Sequence, residues 1–227
     1  MGEVDTIRGV WQGALSVFAR YPLATLVPAA VVGVIGQTPA YLIEGRPWLD
    51  LVLTIVGTYF AYYLYLVYAE GLVYDAERGA LRVGLRGLDE ALRQALPYVP
   101  RVFVAALIVL SVTSLAAVLL VLPGVWLYTR WSLTTQVIRR EGLRALEALA
   151  RSNRLVRGNF WFVFLTATVA FIFEEAVIET GAYLALLATG SHTWGEWIGG
   201  SAVATVAIPL GAFVTSLAYS SLAEGHE

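Results

Sequence analysis

Uncharged apolar runs recur along this chain at the lengths a lipid bilayer demands, and no other feature narrows its possible folds as far. A hydrocarbon core about 30 Å thick needs about 20 apolar residues of helix. Pro22 to Ile43 and Leu51 to Ala69 contain no charged residue. Val102 to Thr129 is a longer uncharged run, interrupted by Pro123-Gly124, a pair that suits a turn between two helices. Gly158 to Phe173 opens a further run that continues past three Glu residues to about Ala188, and Trp197 to Ala223 is the last. These runs are apolar on every face. A membrane β-barrel, whose strands alternate apolar and polar residues, does not fit them. The reading is an all-α, polytopic integral membrane protein of six transmembrane helices, over about 22–43, 49–74, 99–122, 125–138, 159–188 and 197–222. The whole chain, 1–227, is read as one membrane domain.

Composition agrees. Apolar residues make up 58% and charged residues 14% of the chain, against roughly a quarter charged in soluble domains. The start, Met1 to Asp5, is acidic, and the first long apolar run begins only at Pro22, so a cleaved signal peptide is not expected. A net charge of −2 gives no basic footprint for nucleic acid. The absence of Cys excludes disulfides, thiolate metal sites and cysteine nucleophiles.

Every basic residue is Arg, and the Arg residues alternate by side. Segments before span one, between spans two and three, and between spans four and five hold two, five and six; the intervening ones hold one, none and none. By the positive-inside rule both termini lie in the cytoplasm of an inner-membrane protein of bacterial type. Trp48, Trp126, Trp194 and Trp197 would form an outer aromatic belt, with Trp11 and Trp161 inside.

The Arg-rich segments are themselves patterned. Ile7, Val10, Trp11, Leu15 and Phe18 recur at helical spacing, as do Leu85, Leu88, Leu92 and Leu96, and Leu143, Leu146 and Leu149. Three interfacial amphipathic helices on the cytoplasmic side follow, over about 5–20, 85–97 and 141–157. Each leads into a span, an order consistent with three helical-hairpin repeats. Three unrelated amphipathic linkers explain the same pattern.

The stretch Leu122-Pro-Gly-Val-Trp-Leu-Tyr-Thr-Arg-Trp-Ser-Leu133, then Glu141-Gly-Leu, then Ala148-Leu-Ala-Arg-Ser-Asn-Arg-Leu-Val-Arg-Gly-Asn-Phe-Trp161, resembles a bacterial signature. It is similar to the integral-membrane domain joined to some glycerophosphoryl diester phosphodiesterases, and to related stand-alone membrane proteins. Gly87 to Leu92 also fits the pattern. The resemblance implies a six-helix module with amphipathic connectors that works near lipids. In the fused members the chemistry belongs to a soluble barrel domain that follows the membrane part. That catalytic domain is expected to be absent here, because the sequence stops at Glu227.

Ionisable groups inside a span are costly and face a protein interior, a partner or a water-filled cavity. Arg130 and the triplet Glu174, Glu175 and Glu179 are such groups. Counted at about 1.5 Å per residue, Arg130 and Glu174 reach similar depths, which predicts an ion pair between them. Such a pair either fixes helix packing or lines a site. Tyr62, Tyr63 and Tyr65 lie near mid-bilayer, where their hydroxyls need partners. They either bond neighbouring helices or line a polar cavity. The candidate ligand-binding residues are therefore Arg130, Glu174, Glu175, Glu179, Tyr62 and Tyr65. His192 and Glu196 are the weak candidates for a metal, with too few further ligands to make a site. The pair Glu174-Glu175 resembles the paired acids of prenyl-protein-type membrane proteases. Those would require Arg four residues after the second Glu, where this chain has Glu179, and His in later helices, where span six has none. No Gly-x-Ser-x-Gly elbow is present either. The expectation is a non-enzymatic module without cofactor that binds or helps move a lipid or small amphiphile. The alternative is a structural or accessory subunit. Expected partners are membrane lipids and another membrane protein or a second copy, with no nucleic acid.

Overall fold

The computed structural model describes residues 6–37, 59–78, 90, 93–191 and 195–224. Among them the chain is helical throughout, with no strand. Helices α1 (Ile7–Arg20) and α2 (Pro22–Gln37) come first. After α3 (Tyr59–Glu77), a 3-10 turn at Leu96–Tyr98 leads into α4 (Val99–Leu119). Three shorter helices follow: α5 (Val121–Trp131), α6 (Thr134–Glu141) and α7 (Ala145–Val156). The short α8 (Phe160–Val163) passes through a π-helical stretch, Phe164–Thr168, into α9 (Val169–Thr189). A second π-helical stretch, Gly195–Gly200, opens α10 (Ser201–Glu224).

Among the described residues, three helical stretches are long and apolar enough to cross a membrane: Arg93–Leu119, Phe160–Thr189 and Trp197–Ala223. The pair Ile7–Arg20 and Pro22–Ile35, bent by 94°, is a fourth if counted as one span. Local chemistry places that bend. The Thr6 side chain accepts from Gly9 N–H at 3.1 Å and caps α1. Pro22 then ends it, because the residue before a proline is pushed out of helical conformation, while Pro itself suits the first position of the next helix.

The six-span expectation is met only in part. Its second span, 49–74, is described only from Tyr59, and most of the amphipathic helix expected at 85–97 lies outside the described residues. The fourth, 125–138, is not one helix. The chain leaves α4 at Leu120, whose backbone is extended, rather than at Pro123-Gly124. Pro123 instead sits in the first turn of α5, where its missing N–H costs no helical hydrogen bond. Gly124 lies against Ala117, and a Cβ there would fall 2.6 Å from the Ala117 Cβ. Helix α5 then stops at Trp131, so the segment reads as two short helices, α5 and α6.

The core is built around α10, which packs against α1, α2, α3 and α9. Its Phe213, Val214, Leu217 and Ala218 are fully buried. Helix α3 docks on α2 through tyrosine hydroxyls. Pro28 lies inside α2 and cannot bond the carbonyl four residues back. That carbonyl, Ala24 O, accepts instead from the Tyr68 hydroxyl at 2.8 Å. The Tyr65 hydroxyl donates to Thr25 O at 3.4 Å.

Candidate functional site

Two polar regions interrupt this apolar bundle. The first is a knot at the end of the bundle where the Arg residues collect. Glu70 and Glu77, seven residues apart, lie on one face of α3. Arg140, next to last in α6, donates from Nε to Glu70 and places Nη1 3.1 Å from Glu77 Oε2. Ser220 of α10 donates to Glu77 at 2.7 Å. Glu141 accepts from the Tyr219 hydroxyl at 2.9 Å and from Arg151 Nε of α7 at 3.0 Å. Arg101 of α4 donates to the carbonyl of Gly142 at 3.1 Å. Gly142 caps α6 in the left-handed conformation, at φ 70°. Burial works to lower the Arg140 pKa, but Glu70 and Glu77 more than offset it, and the pKa is raised. Arg140 therefore stays charged. This knot ties α3, α6, α7 and α10 together, and its acids lie beside cations.

The second region is a partly open cavity of about 370 Å³ lined by α3, α4, α5, α6, α9 and α10. Its aromatic walls are Tyr62, Tyr63, Tyr128, Trp131 and Phe171. Val102, Ala105, Ala106 and Val109 of α4 supply an apolar side. Its polar side chains are hydroxyls, among them Thr113, Ser132, Thr134, Thr168 and Thr215, with the amide of Gln136 and the carboxyl of Glu174. Glu174 stands halfway along Phe160–Thr189 and is 3% exposed. The Tyr62 side chain lies beside its carboxyl. Gly211 of α10 leaves room for that carboxyl; a Cβ at 211 would fall 2.5 Å from Glu174 Oε2. Thr168, in the π-helical stretch, shares a buried hydrogen bond of 2.9 Å with Thr129. The extra residue per turn there shifts Thr168 against α5, and such π-bulges recur at functional sites.

The structure thus divides the sequence-predicted site residues. Tyr62 and Glu174 come together in the cavity. Tyr65 does not line it, since its hydroxyl is taken up by α2. Glu175 and Glu179 lie on the exposed face of α9, as one residue's rotation of about 100° from Glu174 requires. The expected Arg130–Glu174 pair does not form. Tyr128 and Arg130 are two residues apart, so they face opposite sides of α5, at about 200°. Tyr128 packs on Phe171 at 5.0 Å between centroids. Arg130 turns to α7, where Nη1 donates to Asn153 Oδ1 at 2.9 Å, and stacks over Trp126 at 4.1 Å. Ser152 closes the joint by donating to the carbonyl of Arg130 at 2.9 Å. Arg130, Ser152 and Asn153 thus bond one another across the α5–α7 joint.

His192 and the side chain of Glu196 lie outside the described residues. Among those described, no group of three or more His, Asp or Glu is placed to hold a metal ion. Sequence reasoning missed two features. One is the Glu70–Arg140–Glu77 knot, whose available signal was the i,i+7 spacing of two acids beside an apolar run. The other is Gln136, whose inward position follows from the break between α5 and α6, which the sequence does not announce. The chain matches no known protein family, no curated protein and no solved structure.

Proposed function

We propose that this chain is a non-enzymatic membrane module that binds, or helps move, a lipid or small amphiphile in the cavity around Tyr62 and Glu174. The observation that carries the reading is the cavity itself. It is of ligand size, mostly apolar and aromatic, with a few convergent polar groups, which is the usual build of a small-molecule site. Its position among apolar helices admits a ligand that partitions into lipid. The resemblance of 122–161 to the membrane domain of glycerophosphoryl diester phosphodiesterases supports a role near lipids. The Arg asymmetry supports an inner-membrane, six-span arrangement with both termini cytoplasmic. The Arg101, Arg140 and Arg151 contacts at one end of the bundle agree with it.

Native mass spectrometry of the protein extracted gently from its own membrane tests the reading. A retained amphiphile is expected with the natural chain and lost with Ala106→Trp, which fills the cavity. Equal retention by both, or none by either, contradicts it.

One observation favours a second reading, an accessory subunit docked on another membrane protein. Glu175 and Glu179 are exposed beside Ile172 and Phe173, themselves 53% and 54% exposed. Carboxylates facing hydrocarbon are costly, and a polar partner surface would accommodate them. Cross-linking from position 175 in native membranes to a second polypeptide supports that reading; labelling by lipid alone opposes it.

A further inference from the structure

Beyond the general class of amphiphile, the lining of the cavity specifies the charge of its occupant. Among the described residues Glu174 is its only carboxyl, it is 3% exposed, and no described Arg lines the cavity. No ion pair joins Glu174 to a described cation. The chain has no Lys at all. The neighbouring Tyr62 hydroxyl is neutral and supplies no positive charge. A second acceptor points the same way: Gln136, 2% exposed and part of the lining, has its Oε1 without a hydrogen-bond partner. Around these acceptors stand the rings of Tyr62, Tyr63, Tyr128, Trp131 and Phe171. Their faces carry negative electrostatic potential and attract organic cations. An anionic headgroup would meet the Glu174 carboxylate with nothing to neutralise it. A neutral acyl chain would use the walls but leave Glu174 and Gln136 unanswered.

We propose that the cavity binds a lipophilic organic cation, a protonated amine or an onium group on an apolar body, with Glu174 as counter-charge and Gln136 as a second acceptor. Binding needs no covalent step. The proposal rests on the amphiphile-binding reading above and adds the sign of the charge.

The test uses the full chain in detergent and three probes of similar shape: tetraphenylphosphonium, tetraphenylborate and neutral triphenylphosphine oxide. Equilibrium dialysis reads affinity, and quenching of Trp131 against a Trp131→Phe control reports the location. The expected result is preference for the phosphonium over the borate. Glu174→Gln should weaken phosphonium binding about tenfold or more, as loss of a desolvated charge partner does. It should leave the oxide within about twofold. Glu174→Asp should restore part of the loss, and Glu175→Gln, adjacent in charge but outside the cavity lining, should weaken phosphonium binding far less than Glu174→Gln does. Near-isosteric Glu174→Gln is expected to fold, and an unchanged size-exclusion profile checks that it has. Two results overturn the charge assignment and leave the amphiphile reading standing. In one, oxide or borate binds as tightly as phosphonium and Ala106→Trp blocks it; in the other, Glu174→Gln does not weaken the phosphonium. If no probe binds in a manner that Ala106→Trp abolishes, both readings fall.

Discussion

Glu70 and Glu174 are both acids in largely apolar helices, 1% and 3% exposed, yet they are answered by opposite kinds of neighbour. Glu70 meets Arg140, which also reaches Glu77, and the group is closed by Ser220 and the neighbouring Glu141–Tyr219–Arg151 chain. Glu174 lies against Tyr62 and lines the cavity. A buried ion pair contributes little net stability but is costly to break, since the surviving partner is left charged and unpaired. The first acid thus belongs to the joint between helices. The second has no described cation beside it, and on the proposed reading its partner is the ligand. Their positions differ as well: the knot joins the last residues of α3 and α6 to the C-terminal part of α10, while Glu174 stands halfway along Phe160–Thr189.

Breaking the knot should have the largest effect. Arg140→Ala leaves Glu70 and Glu77 without a cation and should cost about 3–5 kcal/mol, read as a lower unfolding midpoint in micelles. Replacing Arg140, Glu70 and Glu77 together by Met, Leu and Leu should recover most of that loss, because no charge is then stranded. At the cavity, Gly211→Ala pushes a methyl into the Glu174 carboxyl and should cost about 1–3 kcal/mol by overpacking, with reduced amphiphile retention as the second readout. Tyr68→Phe removes the donor that satisfies Ala24 O beside Pro28, and should cost about 1 kcal/mol; hydrogen exchange of α2 would localise the change. The smallest effect is expected from Arg130→Met. It loses the Asn153 hydrogen bond and the Trp126 stack, together about 1 kcal/mol, and leaves cavity binding unaltered. Lost binding would mean that Arg130 serves the site after all.

The sequence makes the membrane-apolar character, the amphipathic α1 and α7 and the position of Glu174 legible, because each is a local pattern of one helix. What it hides is the rotation and breakage of helices relative to one another. Leu120 carries no turn residue, yet the chain bends there because Pro123 fits a first helical turn and Gly124 lets α5 close on Ala117. That bend moves α5 and turns Arg130 to Asn153. Depth counted along separate helices placed Arg130 and Glu174 level, but depth says nothing of azimuth, and azimuth separated them. Tyr65 shows the same limit: its need for a partner was readable, while the partner, a carbonyl in a proline-bearing helix, was set by the docking of α3 on α2. Glu175 departs from the cavity for a simpler reason, since one residue of helix carries its side chain to the outer face, where Glu179 is exposed as well.

The most direct measurement sets the two buried acids side by side: thermal unfolding of Glu70→Gln and Glu174→Gln without added ligand. The account predicts that Glu70→Gln lowers the Tm, because Arg140 loses its closest acceptor, and that Glu174→Gln leaves it unchanged or raises it, because a buried carboxyl without a cation is removed. A Tm that falls with Glu174→Gln and holds with Glu70→Gln would contradict it, and would make Glu174 the packing device and the knot dispensable.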